Sequence, residues 1–167
     1  MRRIISILLQ NEAGALARVA AMFSARGYNI DSLTVATTHD PSVSRLTLVT
    51  FGDEAVIDQI VKQSRKLVDV LEIADLTTRA HIEAELLMVK VAVAPKRATG
   101  LHECIARHAG ALLTDTDDAT CTIRFAGSSG EVNAFLAELE SVARVLEIAR
   151  TGTAALERGR VVLMPAA

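Results

Sequence analysis

From Ile4 to Leu9 the chain is apolar at every position but Ser6, a strand-length run. The period then changes. Leu16, Val19, Ala20 and Phe23 recur at i, i+3, i+4 and i+7, with Arg18 and Ser24 on the other face, which predicts an amphipathic helix. Further strands are predicted at about Ile30 to Thr38, Ser44 to Phe51 and Val68 to Leu76, the first strand being about Arg3 to Gln10. Between the last two strands, Ile57, Ile60, Val61 and Ser64 mark a second helix, with Asp53 suited to cap it. Thr38-His39-Asp40-Pro41-Ser42 reads as a hairpin connection, because proline sets φ and cannot donate to a ladder.

The pattern then returns. Val70-Leu71-Glu72-Ile73-Ala74 reappears as Val145-Leu146-Glu147-Ile148-Ala149, and the flanking segments agree. Leu48-Val49-Thr50-Phe51-Gly52 and Thr122-Ile123-Arg124-Phe125-Ala126 are similar strands, each leading into a striped helix; the second stripe is Val132, Phe135, Leu136 and Leu139. Leu101, Cys104, Ile105 and His108 echo the first helix. Each half therefore reads strand, helix, strand, strand, helix, strand. The predicted fold class is α+β: two tandem ferredoxin-like βαββαβ domains, each an antiparallel sheet with both helices on one face. The predicted division is 1–76, a linker at 77–82, a second domain at 83–151, and a tail at 152–167 that receives no element. Val49 and Phe51 alternate with Leu46, Leu48 and Thr50, so both faces of the first sheet carry apolar residues, which suits helices on one side and a partner domain on the other.

The candidate chemistry lies at Asn11-Glu12-Ala13-Gly14-Ala15-Leu16, where the first strand turns into the first helix. The first amides of a helix lack carbonyl partners, and with the positive end of the helix dipole they suit a carboxylate or phosphate. Gly14 lets a ligand approach the backbone. Asn29, in Gly27-Tyr28-Asn29-Ile30, lies past the far end of the helix; in a compact unit it returns toward Asn11, so that two neutral amides flank one anion site. Carboxamides offer an oxygen to an ammonium and N–H groups to a carboxylate, which suits a zwitterion such as a free amino acid. Taken alone, Gly14 is a turn residue and Asn11 a helix cap, but a cap does not account for Asn29.

Composition narrows the function classes. Eighteen basic residues against twenty acidic give a net charge of −2, so nothing announces a nucleic acid or an anionic membrane as partner. An RNA-recognition motif shares the βαββαβ topology, but four Phe, one Tyr and no Trp leave it without a stacking platform. Half of the residues are apolar, yet no run approaches membrane-spanning length, and the expectation is a cytoplasmic protein that self-associates. Cys104 and Cys121 are far apart and read as small apolar residues. His81, Glu83 and Glu85 alternate on one strand and read as a solvated face rather than metal ligands. Asp115, Asp117 and Asp118 resemble the start of a calcium loop, but Thr120 and Ala126 stand where it needs Gly and Glu, so they read as a hairpin turn. No nucleophile–base set, metalloprotease motif or phosphate-binding loop can be assembled, so no catalytic residue is expected.

N-E-A-G-A-L after the first strand and G-Y-N-I-D-S-L before the second resemble the ACT domain. With R-R-I-I-S-I-L-L-Q, F-S-A-R-G-Y-N-I-D-S-L-T-V-A, K-L-V-D-V-L and V-L-E-I-A-R-T-G, nearly the whole chain resembles the small regulatory subunits of acetolactate synthase, also called acetohydroxyacid synthase. That resemblance implies a non-catalytic subunit that binds the large catalytic subunit, activates it, and confers feedback inhibition by valine in branched-chain amino acid biosynthesis. Thiamine diphosphate, Mg²⁺ and FAD would belong to the large subunit, with no cofactor in this chain. It also implies a homodimer through the ACT domains, with valine between them. The valine carboxylate would lie near the amides of Gly14, Ala15 and Leu16, with polar contacts from Asn11 and, across the interface, from Asn29 and the Ile30 backbone. Ala36 is a candidate for the pocket wall. In the second domain Ala94-Pro95-Lys96-Arg97-Ala98-Thr99-Gly100-Leu101 replaces N-E-A-G-A-L, so no equivalent amino acid site is expected there, although Lys96 and Arg97 suit some other anion. The alternative reading is a free-standing ACT-domain amino acid sensor controlling another enzyme or transcription.

Overall fold

The computed structural model describes residues 1–93 and 98–165. It divides into two compact units, one of residues 1–82 together with 152–167, the other of residues 83–151.

The first unit contains β1 (Arg2–Gln10), α1 (Ala15–Ser24), β2 (Ser32–Thr37), β3 (Val43–Phe51), α2 (Glu54–Ser64) and β4 (Val70–Asp75). Its strands are antiparallel in the order β2-β3-β1-β4, the βαββαβ arrangement predicted from the repeat. Alternation along the strands builds the core: Ile5, Ile7 and Leu9 of β1 and Leu46 and Leu48 of β3 pack with Val19, Met22 and Phe23 of α1 and Ile57 and Ile60 of α2. Asp53 caps α2, its side chain accepting from the Val56 N–H at 2.9 Å.

The opposite face of this sheet presents Ile4 and Val49, which cluster with Ala74, Leu76, Ala155 and Leu163. Its cover is thus partly the chain's own closing segment, to which the sequence assigned no element. That segment contains β9 (Ala154–Glu157). Gly152, at φ +79, approaches so closely that a Cβ there would stand 3.1 Å from the Cβ of Ser32 on β2. Thr153 is buried and accepts from Arg2 Nη2 at 3.1 Å. Arg79 pairs with Glu157 at 2.8 Å, and the Arg158 N–H donates to the Ala80 carbonyl at 2.8 Å. Burial of Ala155, the packing of the partly buried Leu163 and these bonds hold a stretch with little periodic signal of its own.

The second unit repeats the first with β5 (His81–Ala92, whose first residues count with the first unit), α3 (Ala98–Arg107), β6 (Ala111–Thr116), β7 (Thr120–Gly127), α4 (Ser129–Val142) and β8 (Arg144–Arg150). Its strand order, β6-β7-β5-β8, is that of the first sheet. The likeness extends to an irregularity: the β1–β4 register shifts between Leu8 and Leu9, and the β5–β8 register shifts between Lys90 and Val91, each beside the repeated Val-Leu-Glu-Ile-Ala segment. The core joins Leu87, Val89 and Val91 to Ile123, Phe125, Val132, Phe135 and Leu139, with the Phe125 and Phe135 rings stacked at 4.7 Å. Both cysteines are free and buried, as their reading as apolar residues requires.

Candidate functional site

The structure separates a cap from a site at the start of α1. Gly14 is the N-cap residue, at φ +90 and ψ −13, and no side chain caps the helix. Left-handed backbone of this kind is accessible to glycine at little cost. Asn11 is not a cap. Its Nδ2 donates to the Pro41 carbonyl at 2.8 Å and its Oδ1 accepts from the Ser44 hydroxyl at 3.0 Å, while its backbone N–H donates to Ser42 at 2.7 Å. The side chain therefore ties the β1–α1 turn to the β2–β3 hairpin and holds Gly14 at the end of the sheet. The Ala15 N–H is spent within the turn, donating to the Glu12 carbonyl at 3.2 Å, and Ala15 is buried. Leu16 is half-buried against the core.

Sequence reasoning set Arg18 on the solvent face; it belongs to this site. One helical turn after Gly14, its guanidinium is gripped by Asp69, Nη2 donating to Oδ1 at 2.7 Å and Nε donating to Oδ2. Asp69 is buried, its side chain 4% exposed, and its own carbonyl accepts from the Gln10 N–H at 2.8 Å. The hydrogen bonds from Arg18 hold the Asp69 carboxyl below the usual aspartate range, and the same bonds push the guanidinium's pKa up. The remaining nitrogen, Nη1, lies 2.8 Å from where a Gly14 Cβ would stand, so the guanidinium lies beside Gly14 at the uncapped start of the helix. An anion there meets peptide dipoles and one arginine edge, whose charge Asp69 balances. The available signal was the i, i+4 spacing from Gly14, which stacks a side chain over the helix start.

Asn29 and Ile30 lie elsewhere. The Asn29 carbonyl accepts from Thr50 Oγ1 at 2.6 Å, and the Asp31 N–H donates to Val49 at 2.8 Å, so this turn sits at the Thr50 end of β3. Asn11 sits at the other end, past the Gln10–Val43 pair. Val43 and Thr50 lie seven residue steps apart on one strand, about 24 Å at the usual rise. The expectation that Asn29 returns toward Asn11 within one unit is therefore corrected: helix and strand run the length of the sheet and leave the two amides at opposite ends. Ala36, exposed on β2 and paired with Arg45, is at the Asn11 end.

The other candidates resolve into structural roles. Glu85 is buried rather than solvated and is ion-paired to Arg150, while the His81 ring contacts the Arg79 carbonyl at 2.8 Å. Asp117 accepts from the N–H groups of Ala119 and Thr120, both at 2.7 Å, forming the β6–β7 turn. His108 packs edge-on against Phe125 and Phe135. Among the described residues, Cys104, His108 and Glu138 alone bring three ligand-type atoms within 4.8 Å of one another. Glu138 is already committed there, to His108 Nε2 at 2.7 Å and to Arg107, whose charge opposes a cation. Lys96 and Arg97 lie outside the described residues. Among those described, no helix is long and apolar enough to cross a membrane.

Residues 5–72 match the family described as the AHAS small subunit-like ACT domain, and residues 84–159 match the small subunit of acetolactate synthase. The chain belongs to the acetolactate synthase small-subunit family. It is 46% identical over 159 residues to the acetolactate synthase isozyme 3 small subunit of Escherichia coli K12, covering 95% of this chain and 97% of that protein. The acetolactate synthase small subunit of Haemophilus influenzae is 40% identical over 159 residues, with the same coverage. Among solved structures, the acetolactate synthase small subunit from Thermotoga maritima superposes with a TM-score of 0.83 at 32% identity, covering 96% of this chain and 99% of that one. The match to the family spans both units, so the resemblance stated from the sequence and the tandem ferredoxin-like fold both hold.

Proposed function

We propose that this chain is the regulatory subunit that binds the large catalytic subunit of acetolactate synthase in the cytoplasm, raises its activity, and makes it sensitive to valine. The carbon-joining chemistry, with thiamine diphosphate, Mg²⁺ and FAD, belongs to the large subunit. Valine binds between two copies of the chain, its carboxylate at the start of α1 by the amides of Gly14 and Leu16, with the Ala15 N–H held inside the turn by Glu12, its ammonium at carboxamide oxygen, and Ala36 on the wall.

The observation that carries the two-copy site is the position of β2. It is an outer strand with β3 as its one neighbour in the strand order, and Asn29 and Ile30 lie just before it. Antiparallel pairing of two β2 strands about a two-fold axis sets Ser32 of one copy opposite Thr37 of the other. The Asn29 end of one copy then meets the Asn11 end of the other, and two equivalent sites form. A helix-start anion site that one chain completes only in part thus becomes whole in the pair. Valine shifts the arrangement of the copies, and the catalytic subunit responds through coupling of about 1–3 kcal/mol.

Reconstitution with the purified large subunit tests the reading. Addition of the chain raises acetolactate formation, and valine lowers it again. Linkage requires the large subunit to change the affinity for valine by the same factor that valine changes its binding. Absence of stimulation across all ratios of the two subunits would refute the regulatory role, and valine binding without stimulation would point to a free-standing sensor.

A further inference from the structure

A cavity of about 250 Å³ lies on the helix-free face of the first sheet, beneath the closing segment. All of its lining residues belong to the first unit. Two of its polar groups are uncompensated. Ser6 on β1 is 1% exposed, and its Oγ finds no hydrogen-bond partner among the described residues. A buried hydroxyl in that condition carries a desolvation cost. Arg45 on β3 is half-buried and makes no ion pair or side-chain hydrogen bond among the described residues; burial pushes its guanidinium below the usual arginine range. Ser6 pairs with Thr47 in the ladder and Leu8 with Arg45, so Ser6 and Arg45 are diagonal neighbours on one face. Diagonal neighbours stand roughly 7–8 Å apart, within reach of one small ligand.

The walls define the rest of that ligand. Ala74 and Leu76 form one side, and Leu156 and Leu163 of the closing segment form the other. Arg79 also lines the cavity, but Glu157 neutralises it at 2.8 Å, so Arg45 supplies the net charge. Glu157 is spent on that pair, and no other carboxylate lines the cavity, so an ammonium group has no free counter-ion.

We propose that this cavity is a binding site for a small aliphatic monocarboxylate bearing an adjacent oxygen, a 2-oxo or 2-hydroxy acid, with the carboxylate on Arg45 and the oxygen on Ser6. A free amino acid is disfavoured there, which separates this site chemically from the one at α1. The inference does not rest on the proposed valine site. Because the closing segment forms one wall, an occupant also fastens that segment to the sheet.

Calorimetric titration of the full-length chain with 2-oxopentanoate, beside amide chemical-shift mapping, tests the site; 2-pentanone, which lacks the carboxylate, is the control. Saturable binding is expected, with shifts centred on Ser6, Ala74 and Leu163, and 2-pentanone inert. Arg45→Met weakens binding by about tenfold or more, and Ser6→Ala by about three- to tenfold. Neither side chain has a partner to lose, so both variants fold, and Ser6→Ala melts no lower than the parent. Gly14→Asp leaves binding unchanged. No saturation through millimolar concentrations, shifts confined to other residues, or Arg45→Met binding as the parent does would each overturn the proposal.

Discussion

Asp69, buried just before β4, grips Arg18 of α1 through two nitrogens, and the third is left over Gly14. The pair couples three things that are separate in sequence: the sheet core, the register of the first helix, and the electrostatics of its first turn. A buried carboxylate without its arginine is costly, and an arginine released from Asp69 loses its fixed geometry at the anion site. The proposed anion site at the start of α1 is thus supported from beneath by the fold itself.

Replacing Gly14 by aspartate places a Cβ 2.8 Å from Arg18 Nη1 and a carboxylate where the ligand carboxylate would bind. Valine inhibition of the reconstituted enzyme is lost while activation survives. Gly14→Ala keeps the charge unchanged but forces an L-residue to φ +90, at a cost of about 1–2 kcal/mol. Its thermal midpoint falls, while valine inhibition weakens less than in the aspartate variant. Full valine sensitivity in Gly14→Asp would remove the carboxylate from the start of α1.

The Arg18–Asp69 pair also sets a pH dependence. The Asp69 carboxyl titrates lower in the folded chain than its unfolded value of about 3.9. Its contribution to stability is therefore fully present above that value and is lost as pH falls through the lower folded value. Asp69→Asn melts below the parent at neutral pH, and the difference narrows on acidification below about pH 4. Melting curves recorded from neutral to strongly acidic pH decide it; a gap that stays constant would assign the loss to packing rather than charge.

Much of this arrangement is legible in the residues. Alternation at Leu46 and Leu48 and the stripe through Val19 and Phe23 encode short-range geometry, and the repeated Val-Leu-Glu-Ile-Ala segment carries over even the ladder irregularity. Gly14 is marked by its place between two periods. What escaped is set by distant partners: Arg18 resembles any exposed helix arginine until Asp69 is brought beneath it by β4. Asn29 seemed able to reach Asn11 only because spacing along a helix does not reveal which end of a sheet it leaves. The closing segment has little periodicity because a few contacts, such as Ala155 on Ile4 and Val49, hold it.

The second unit offers a test of local encoding. Ser128 and Glu131 form a complete capping box at α4, with the Ser128 N–H donating to Glu131 Oε2 at 2.7 Å. Ser128→Ala removes one acceptor for a helix-start N–H, at a cost of about 0.5–2 kcal/mol. Phe135→Ala empties the centre of the core beside Phe125 and costs about 3–5 kcal/mol. Denaturant titrations should rank the two in that order, and an equal loss would mean that the cap carries more of the unit than its single bond allows.

The two-copy site makes a prediction about mixtures that no single-chain site shares. Asn11→Ala and Asn29→Ala each remove one carboxamide, and each alone abolishes or strongly weakens valine binding, because every site in either homodimer lacks one partner. If the amides come from different copies, a mixed dimer holds one site with both asparagines and one with neither. Random exchange of equal amounts makes half of the dimers mixed, so about a quarter of all sites regain full affinity. Calorimetry on the unmixed proteins and on the exchanged mixture measures this directly, with the double variant as the baseline. Recovery of tight binding at about one quarter of the parent stoichiometry supports a shared site, whereas a mixture that only averages its two components would show that the two amides do not complete one site across the interface.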